Sequence, residues 1–237
     1  MQAIILAGGF GTRLRSAIGD VPKPMAPVAG RPFLRWLLEY MAQQGIRQAT
    51  LCLHHMPHMI QRTLGSHYAG IRLSYIIEQS PLGTGGAIKN ALAQMNTSKP
   101  VFVLNGDSLV QLNYMQMLQN HYRMQRPLTI ATQTMPDCSR YSLLELEQGH
   151  VHSYKTRGTK APGIISNGFY IVEPDVFDGA ELPAAFSFEA DFLAPYVPTI
   201  RPANYNGAGY FIDIGVPDDY ARAQAEIPAL LGNRQAA

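Results

Sequence analysis

Charge is scarce in this chain: 15% of its 237 residues are Asp, Glu, Lys or Arg, and the 19 basic and 17 acidic residues leave a formal charge of +2. The basic residues are scattered, whereas binding a nucleic-acid backbone calls for a concentrated basic stripe, so nucleic acid is excluded as a partner. Cysteine is scarcer still. Cys52 in an apolar run and Cys138 in a polar loop make neither a disulfide framework nor a zinc spacing, and both read as free thiols in a reducing compartment, neither of them a nucleophile. Long hydrophobic runs are missing too. Stretches such as Ala3 to Ala7 and Phe33 to Leu38 fall far short of the roughly 20 apolar residues of a membrane helix. The start Met1-Gln2-Ala3 lacks the basic flank of a signal peptide, so a cytoplasmic protein with no membrane partner is expected.

What is present is apolar substance, 46% of the chain, enough for a large core at this length. Short β-rich runs alternate with helical stretches: Gln2 to Ala7, Pro32 to Gln44, Ala49 to Leu53, His58 to Leu64, Arg72 to Ile77, Gly86 to Met95, Pro100 to Leu104 and Met115 to Met124. That alternation implies parallel strands with helices on both faces. In the stretch after Pro32, read as the first helical residue, Phe33, Leu34, Leu37, Leu38 and Met41 recur at helical spacing, with Trp36 as packing. Beyond residue 127 strands dominate (Leu128 to Thr134, Tyr141 to Leu146, Val151 to Tyr154, Ile164 to Val172). The expected fold is therefore α/β and Rossmann-like, with a mixed, mostly parallel central sheet flanked by helices. No Gly/Ser linker or repeat divides it, so residues 1–237 read as one domain. Ligands of open α/β sheets bind beyond the carboxyl ends of the strands, which directs attention to the loops after Leu6, Leu104 and Ile212.

The first of these loops reads Leu6-Ala-Gly-Gly-Phe-Gly-Thr-Arg-Leu14, followed by Pro22-Lys-Pro24. Gly8, Gly9 and Gly11 let the backbone bend and offer bare amide N–H groups to phosphate oxygens, while Arg13 and Lys23 add positive charge. A dinucleotide fingerprint would need a small residue at Leu14, and a Walker loop would need Gly-Lys-Ser/Thr, so neither fits. A strand-to-helix turn that merely needs glycine leaves Arg13 and Lys23 unexplained. Asp107 ends one apolar strand and Asp213 interrupts another, positions costly for a carboxylate unless it is ionised against a cation.

The motif Gly8-Gly-Phe-Gly-Thr-Arg-Leu14 with Pro22-Lys-Pro24 resembles the signature of the sugar-1-phosphate nucleotidyltransferases. Pro81-Leu-Gly-Thr-Gly-Gly-Ala87, Asn105-Gly-Asp107 and Phe211-Ile-Asp-Ile-Gly-Val-Pro217 follow in the family's order and spacing, so the resemblance covers nearly the whole chain. It is strongest to the branch that transfers guanylyl groups to D-glycero-α-D-manno-heptose 1-phosphate. The resemblance implies a nucleotide-binding half over 1–127, a sugar-binding half over 128–227 and a tail over 228–237. It implies that Leu6, Ala7, Gly8, Gly9, Gly11, Thr12, Pro81, Gly83 and Thr84 hold the nucleoside triphosphate, and that Asp107 and Asp213 hold Mg²⁺. Arg13 is assigned to the departing pyrophosphate and Lys23 to the α-phosphate and sugar phosphate, with Asp107 completing the catalytic group. Asn105, Gly106, Arg157 and Asn167 are assigned to the sugar 1-phosphate. The implied product is a nucleotide-sugar for capsule or surface polysaccharide.

Glu78, just before Pro81-Leu-Gly83, stands where thymidylyl and uridylyl relatives often carry glutamine. A carboxylate accepts both adjacent donors of guanine side by side, which favours GTP, and it also accepts a single N–H from a pyrimidine. One departure bears on the sugar. The family's usual glutamate and lysine after the strand ending near Tyr154 fall at Thr156 and Arg157; arginine keeps the charge, threonine does not replace a carboxylate. A mannose-1-phosphate guanylyltransferase, a uridylyl- or thymidylyltransferase, and a non-catalytic nucleotide-sugar-binding regulator remain as alternative readings. A metal-dependent glycosyltransferase is weaker, because Asp107 is followed by Ser108 and Leu109 rather than completing Asp-x-Asp. His54, His55 and His58 lack a fourth partner and read as solvated or capping residues. Arg140 and Tyr141 are left outside the site, Ser142 standing where relatives often have glycine. A homo-oligomer is compatible with this reading.

Overall fold

The computed structural model describes residues 1–9, 11, 14 and 18–232. Strand β1 (Gln2–Leu6) leads through the glycine loop and a 3-10 turn (Lys23–Met25) into a small hairpin of β2 (Pro27–Val28) and β3 (Arg31–Pro32). Then follow α1 (Phe33–Gln43), β4 (Gln48–Leu53), α2 (Pro57–Leu64), β5 (His67–Tyr68), β6 (Ile71–Ile77), α3 (Gly83–Met95), β7 (Val101–Asn105), β8 (Ser108–Val110) and α4 (Tyr114–Met124). The second half runs β9 (Leu128–Met135), β10 (Leu143–Glu147), β11 (His150–Lys155), β12 (Gly163–Val172), a π-helix (Phe188–Leu193), α5 (Ala194–Ile200), β13 (Ala203–Tyr205), β14 (Phe211–Asp213) and α6 (Pro217–Gly232).

A 10-stranded sheet carries the fold in the order β10-β11-β13-β9-β12-β7-β1-β4-β6-β5. It is mixed, as expected, and its parallel pairing has a definite place. Strands β7, β1, β4 and β6 run parallel side by side, and β9 pairs parallel with β13. The other neighbours are antiparallel, so "mostly parallel" describes the first half rather than the whole sheet. Hairpin-connected strands after residue 127 lack the crossover helices that parallel neighbours need. Strand β10 also pairs with β12, which curls this half back on itself.

Two apolar layers sandwich the sheet, and the alternation of side chains along β1 and β7 sorts residues between them. Ala3, Ile5, Phe102 and Leu104 join Leu34, Leu37, Leu38 and Met41 of α1 and Ile227 of α6 on one face. Ile4, Val101 and Val103 join Ile88 and Ala91 of α3 and Phe188 and Phe192 of the π-helix on the other. Each fully buried Leu or Ile stabilises the fold by roughly 1.5–3 kcal/mol relative to an exposed one. Trp36 is packing, its Nε1–H donating to the Val28 carbonyl at 3.0 Å.

Two local expectations shift. Pro32 is not the first helical residue but the one before it, because it pairs with Pro27 in the β2–β3 hairpin. Helix α6 continues through Pro228, where a tail was expected to begin, to Gly232. Buried Ile227 and Leu231 hold that last turn against the hydrogen bond that proline removes. No helix among the described residues is long and apolar enough to cross a membrane.

Candidate active site

The four parallel strands end side by side, and each end delivers part of one cleft: Ala7 to Gly9 after β1, His54 after β4, Glu78 after β6, and Asp107 after β7. The cleft has two lobes that share Leu6, Gly9 and Asp107. The larger, about 760 Å³, is lined by Ala7, Gly11, Lys23, Pro24, Asp213, Gly215 and Val216 on one side and by Ser139, Arg140, Tyr141, Thr156 and Arg157 on the other. The smaller, about 360 Å³, is lined by Gly8, Cys52, His54, Glu78, Pro81, Gly83, Thr84, Ala87, Asn105 and Glu189.

At the junction Lys23 lies between two carboxylates, its Nζ donating to Asp107 Oδ2 at 2.5 Å and to Asp213 Oδ1 at 3.1 Å. The 3-10 turn presents Lys23, and Gly11 lets it in: Gly11 has φ +61°, and a Cβ there would lie 3.0 Å from the Lys23 Cβ in a backbone region that other residues enter at a cost. Asp213 arrives from β14, which pairs antiparallel with β8 so that Asp213 sits opposite Ser108. Burial works to lower the Lys23 pKa, yet the charges of Asp107 and Asp213 outweigh it and hold the ammonium above the usual lysine range. Burial, and then the Asp107 charge, push the Asp213 carboxyl up, against Lys23 and the Gly215 N–H. Two carboxylates thus share one ammonium, leaving negative charge in excess where the two lobes meet.

That donor set suits a hard divalent cation, which takes one or two carboxylates and completes its shell with water and phosphate oxygens. Among the described residues no cluster of three or more His, Cys, Asp or Glu exists that would cage a metal without such help. His54, one of the three neighbouring histidines, has its Nδ1–H on the Glu78 carbonyl at 3.0 Å.

In the smaller lobe Glu78 accepts the Leu82 N–H at 3.0 Å through Oε2. Burial pushes its carboxyl up, with the Leu82 bond and His54 opposing. Gly83 and Thr84 line this lobe but are also spent on structure. Gly83 has φ +70°, and a Cβ there would run into the Phe186 carbonyl. Thr84 Oγ1 donates to Glu189 Oε2 at 2.7 Å and accepts the Phe188 N–H at 2.8 Å. Cys52 is buried, and burial pushes its thiol up to about 12, which suits packing rather than attack; Cys138, expected in a polar loop, is buried too.

Of the residues singled out from sequence, Leu6, Ala7, Gly8, Gly9, Gly11, Lys23, Glu78, Pro81, Gly83, Thr84, Asn105, Asp107, Arg157 and Asp213 line the cleft. Gly106 and Asn167 do not. The Gly106 N–H is held by the Leu6 carbonyl at 2.8 Å, and Asn167 is 2% exposed with neither side-chain polar atom bonded within the protein. Thr12 and Arg13 lie outside the described residues. The sequence reading missed Ser139, Arg140 and Tyr141 on the wall of the larger lobe and Glu189 in the smaller. Arg140 is fixed there by Asp219 at 2.7 Å. A signal for Glu189 was available: it is a carboxylate inside the apolar run Phe186-Ser-Phe-Glu-Ala-Asp-Phe-Leu193, the kind of placement that singled out Asp213.

The ends of four parallel strands, with the Lys23 turn and β14, bring a glycine loop, a lysine and two carboxylates together, and the chain belongs to the nucleotidyl transferase family, whose model matches residues 2–229. It is 40% identical to a D-glycero-α-D-manno-heptose 1-phosphate guanylyltransferase of Aneurinibacillus thermoaerophilus, over 96% of this chain and 98% of that one. It is 38% identical to the enzyme of the same name from Campylobacter jejuni, over 93% and 97%. Among solved structures it is similar to HddC from Yersinia pseudotuberculosis, with a TM-score of 0.84 and 37% identity, covering 95% of this chain and 98% of that one; HddC has also been solved in complex with GMP-PN.

Proposed function

We propose that this chain joins GTP to D-glycero-α-D-manno-heptose 1-phosphate, giving GDP-heptose and pyrophosphate. The observation that carries the reading is Lys23 set between Asp107 and Asp213 where the two lobes meet. A nucleotide in the smaller lobe has its phosphates at this junction, beside the amides of Gly8, Gly9 and Gly11. Glu78 accepts donors on the guanine edge; its Oε2 is already engaged by Leu82, so Oε1 offers the freer contact. Arg157, and Arg140 beside it, face the sugar phosphate across the larger lobe. Both identities of the relatives, guanylyl donor and heptose acceptor, support the same choice.

The reaction needs no protein nucleophile. A sugar phosphate oxygen attacks the α-phosphorus, the bond to the β,γ-pyrophosphate breaks, and pyrophosphate departs with the electron pair. The protein's part is to align the two substrates and neutralise their charge. Asp107 and Asp213 are the residues that would hold Mg²⁺, which supplies charge neutralisation at the phosphates when bound. Lys23 would serve the α-phosphate and the sugar phosphate, and Arg13 the leaving pyrophosphate. We read residues 1–237 as one domain, nucleotide-binding over 1–127 and sugar-binding over 128–227, working in the cytoplasm to supply capsule or surface polysaccharide.

The test is pyrophosphate release with Mg²⁺, crossing GTP, UTP, dTTP, CTP and ATP with heptose, mannose and glucose 1-phosphates. Release with GTP and the heptose phosphate is expected. Turnover with GTP and mannose 1-phosphate alone would keep the base and move the sugar, and no release with any pair would turn the reading toward a binding protein.

A further inference from the structure

A sugar offers hydroxyl donors in several directions, and charged acceptors are the strongest way to hold them. Four carboxylates line the cleft: Asp107, Asp213, Glu78 and Glu189. Lys23 engages the first two, and Glu78 is tied to Leu82 through Oε2 and to His54 through its carbonyl. Glu189 is left. It has no Lys, Arg or His ion partner among the described residues, and its two oxygens differ sharply. Oε2 is fixed by the hydroxyls of Thr84 at 2.7 Å and Ser187 at 3.2 Å, whereas Oε1 receives no hydrogen bond from any described residue.

The support beneath it is rigid. Ser187 caps the π-helix by accepting the Ala190 N–H, and its own N–H is held by Asp191. Phe188 packs edge-on against Tyr170 of β12 with ring centroids 5.1 Å apart, and stacks on Phe192. Glu189 shares the smaller lobe with Asn105, one of the residues assigned to the sugar 1-phosphate. Burial and then the Glu189 charge raise the pKa of Tyr154 on β11, burial, Tyr154 and then Glu189 raise that of Tyr170 on β12, and Ser166 donates to the Tyr170 hydroxyl at 3.2 Å. Ser166 adjoins Asn167, at the break in register between β12 and β9.

We propose that Glu189 is a sugar-specificity residue: its Oε1 accepts hydroxyl groups of the sugar 1-phosphate and supplies the carboxylate that Thr156, in the adjoining lobe, does not provide. This rests on the reading of the cleft as a nucleotidyltransferase site. Thr84 and Ser187 hold the carboxylate so that one oxygen is spent on the fold and the other faces ligand, which gives direction to an otherwise flexible side chain. The same hydroxyl chemistry exists on the ribose of the nucleotide, and the experiment separates the two sources.

Glu189→Gln keeps an oxygen for Thr84 and Ser187 but turns a donor toward the ligand. The expected result is a KM for the sugar 1-phosphate raised about 10- to 100-fold, the size of one lost hydrogen bond to a charged group, with the KM for GTP and the thermal midpoint unchanged. Binding of heptose 1-phosphate and mannose 1-phosphate is measured in parallel by saturation-transfer NMR, with a non-hydrolysable GTP analogue present. If the unsubstituted chain binds sugar phosphate without releasing pyrophosphate, the catalytic reading fails while loss of that binding in the variant still supports Glu189. A raised KM for GTP with an unchanged sugar term assigns the carboxylate to ribose and overturns the proposal. So does a variant indistinguishable from the parent in sugar binding, and so does a parent chain that binds no sugar phosphate.

Discussion

The two halves of the sheet build their share of the cleft by different means. Strands β7, β1, β4 and β6 are parallel, so their carboxyl ends lie in a row and each contributes the one to three residues that follow it: Asp107, Ala7 to Gly9, His54 and Glu78. Position in the chain there translates directly into position in space. The antiparallel half contributes from a loop before β10 (Ser139 to Tyr141), a loop after β11 (Thr156, Arg157) and the π-helix that packs on α3 (Glu189). No single rule of chain direction collects those segments; tertiary packing does. A parallel layer thus fixes the reacting groups, and a curled antiparallel layer adds a wall that varies without disturbing them.

The largest effect should come from the parallel layer and the strand it recruits. Asp107→Ala or Asp213→Ala is expected to cut pyrophosphate release by about 10²–10³-fold or more, the cost of losing one charge-stabilising group in a preorganised site. Lys23→Met should also lose turnover, yet bind Mn²⁺ more tightly than the parent when no nucleotide is present, because the ammonium no longer competes for Asp107 and Asp213. Titration followed by electron spin resonance reads this directly. Unchanged or weaker metal binding would mean that the two carboxylates are not the metal's ligands.

The joint between the halves is the next target. Gly83→Ala places a Cβ against the Phe186 carbonyl at a positive φ and should cost about 2 kcal/mol or more of stability in urea unfolding, as clashes at special backbone positions do. A loss under about 0.5 kcal/mol, the range of ordinary surface changes, would show that the segment around Phe186 is not tightly docked. A smaller change is expected at the base: Glu78→Gln should raise the KM for GTP by about 10-fold, one charged hydrogen bond weakened, while leaving UTP and dTTP no worse. Equal losses for all triphosphates would assign Glu78 to the loop it holds through Leu82 rather than to guanine.

Legibility in the sequence followed the same division. The glycine loop, Lys23, Asp107 and Asp213 were readable because each breaks a local rule: glycines where a strand should pass into a helix, or a carboxylate in an apolar strand. The alternation of strand and helix up to Met124 gave the first half of the fold nearly element by element. The curl of β10 onto β12 and the continuation of α6 through Pro228 depend on contacts distant in the chain. Arg140 and Tyr141 were set aside on a neighbouring Ser142, although Arg140 is held on the wall by Asp219 of α6 and Tyr141 packs on Phe211 of β14. Gly83 and Thr84 carried a mixed signal: they face the cleft, and their backbone and hydroxyl are also committed to Phe186, Phe188 and Glu189.

The smallest effect separates the halves by pH. His121 of α4 is 1% exposed, with Nδ1 on Thr129 Oγ1 at 2.8 Å and Nε2 on Glu173 Oε1 at 3.1 Å; Thr129 lies in β9 and Glu173 follows β12, so both side-chain bonds reach into the antiparallel half. Burial lowers its pKa below the ordinary value of 6.5, and Glu173 only partly opposes this. Well above pH 6.5 the imidazole is neutral in both folded and unfolded chains and carries no penalty. As the pH falls below 6.5 the unfolded chain takes up a proton that the folded chain resists, so stability declines until the lowered folded pKa is reached, and levels off beneath it. His121→Gln, which retains an amide donor and acceptor, should flatten this part of the profile of Tm against pH between 7 and 5 while leaving metal binding at Asp107 and Asp213 unchanged. A profile that keeps its slope without the imidazole would move the acid sensitivity to the carboxylates of the cleft and remove the distinction between a titrating scaffold and a titrating site.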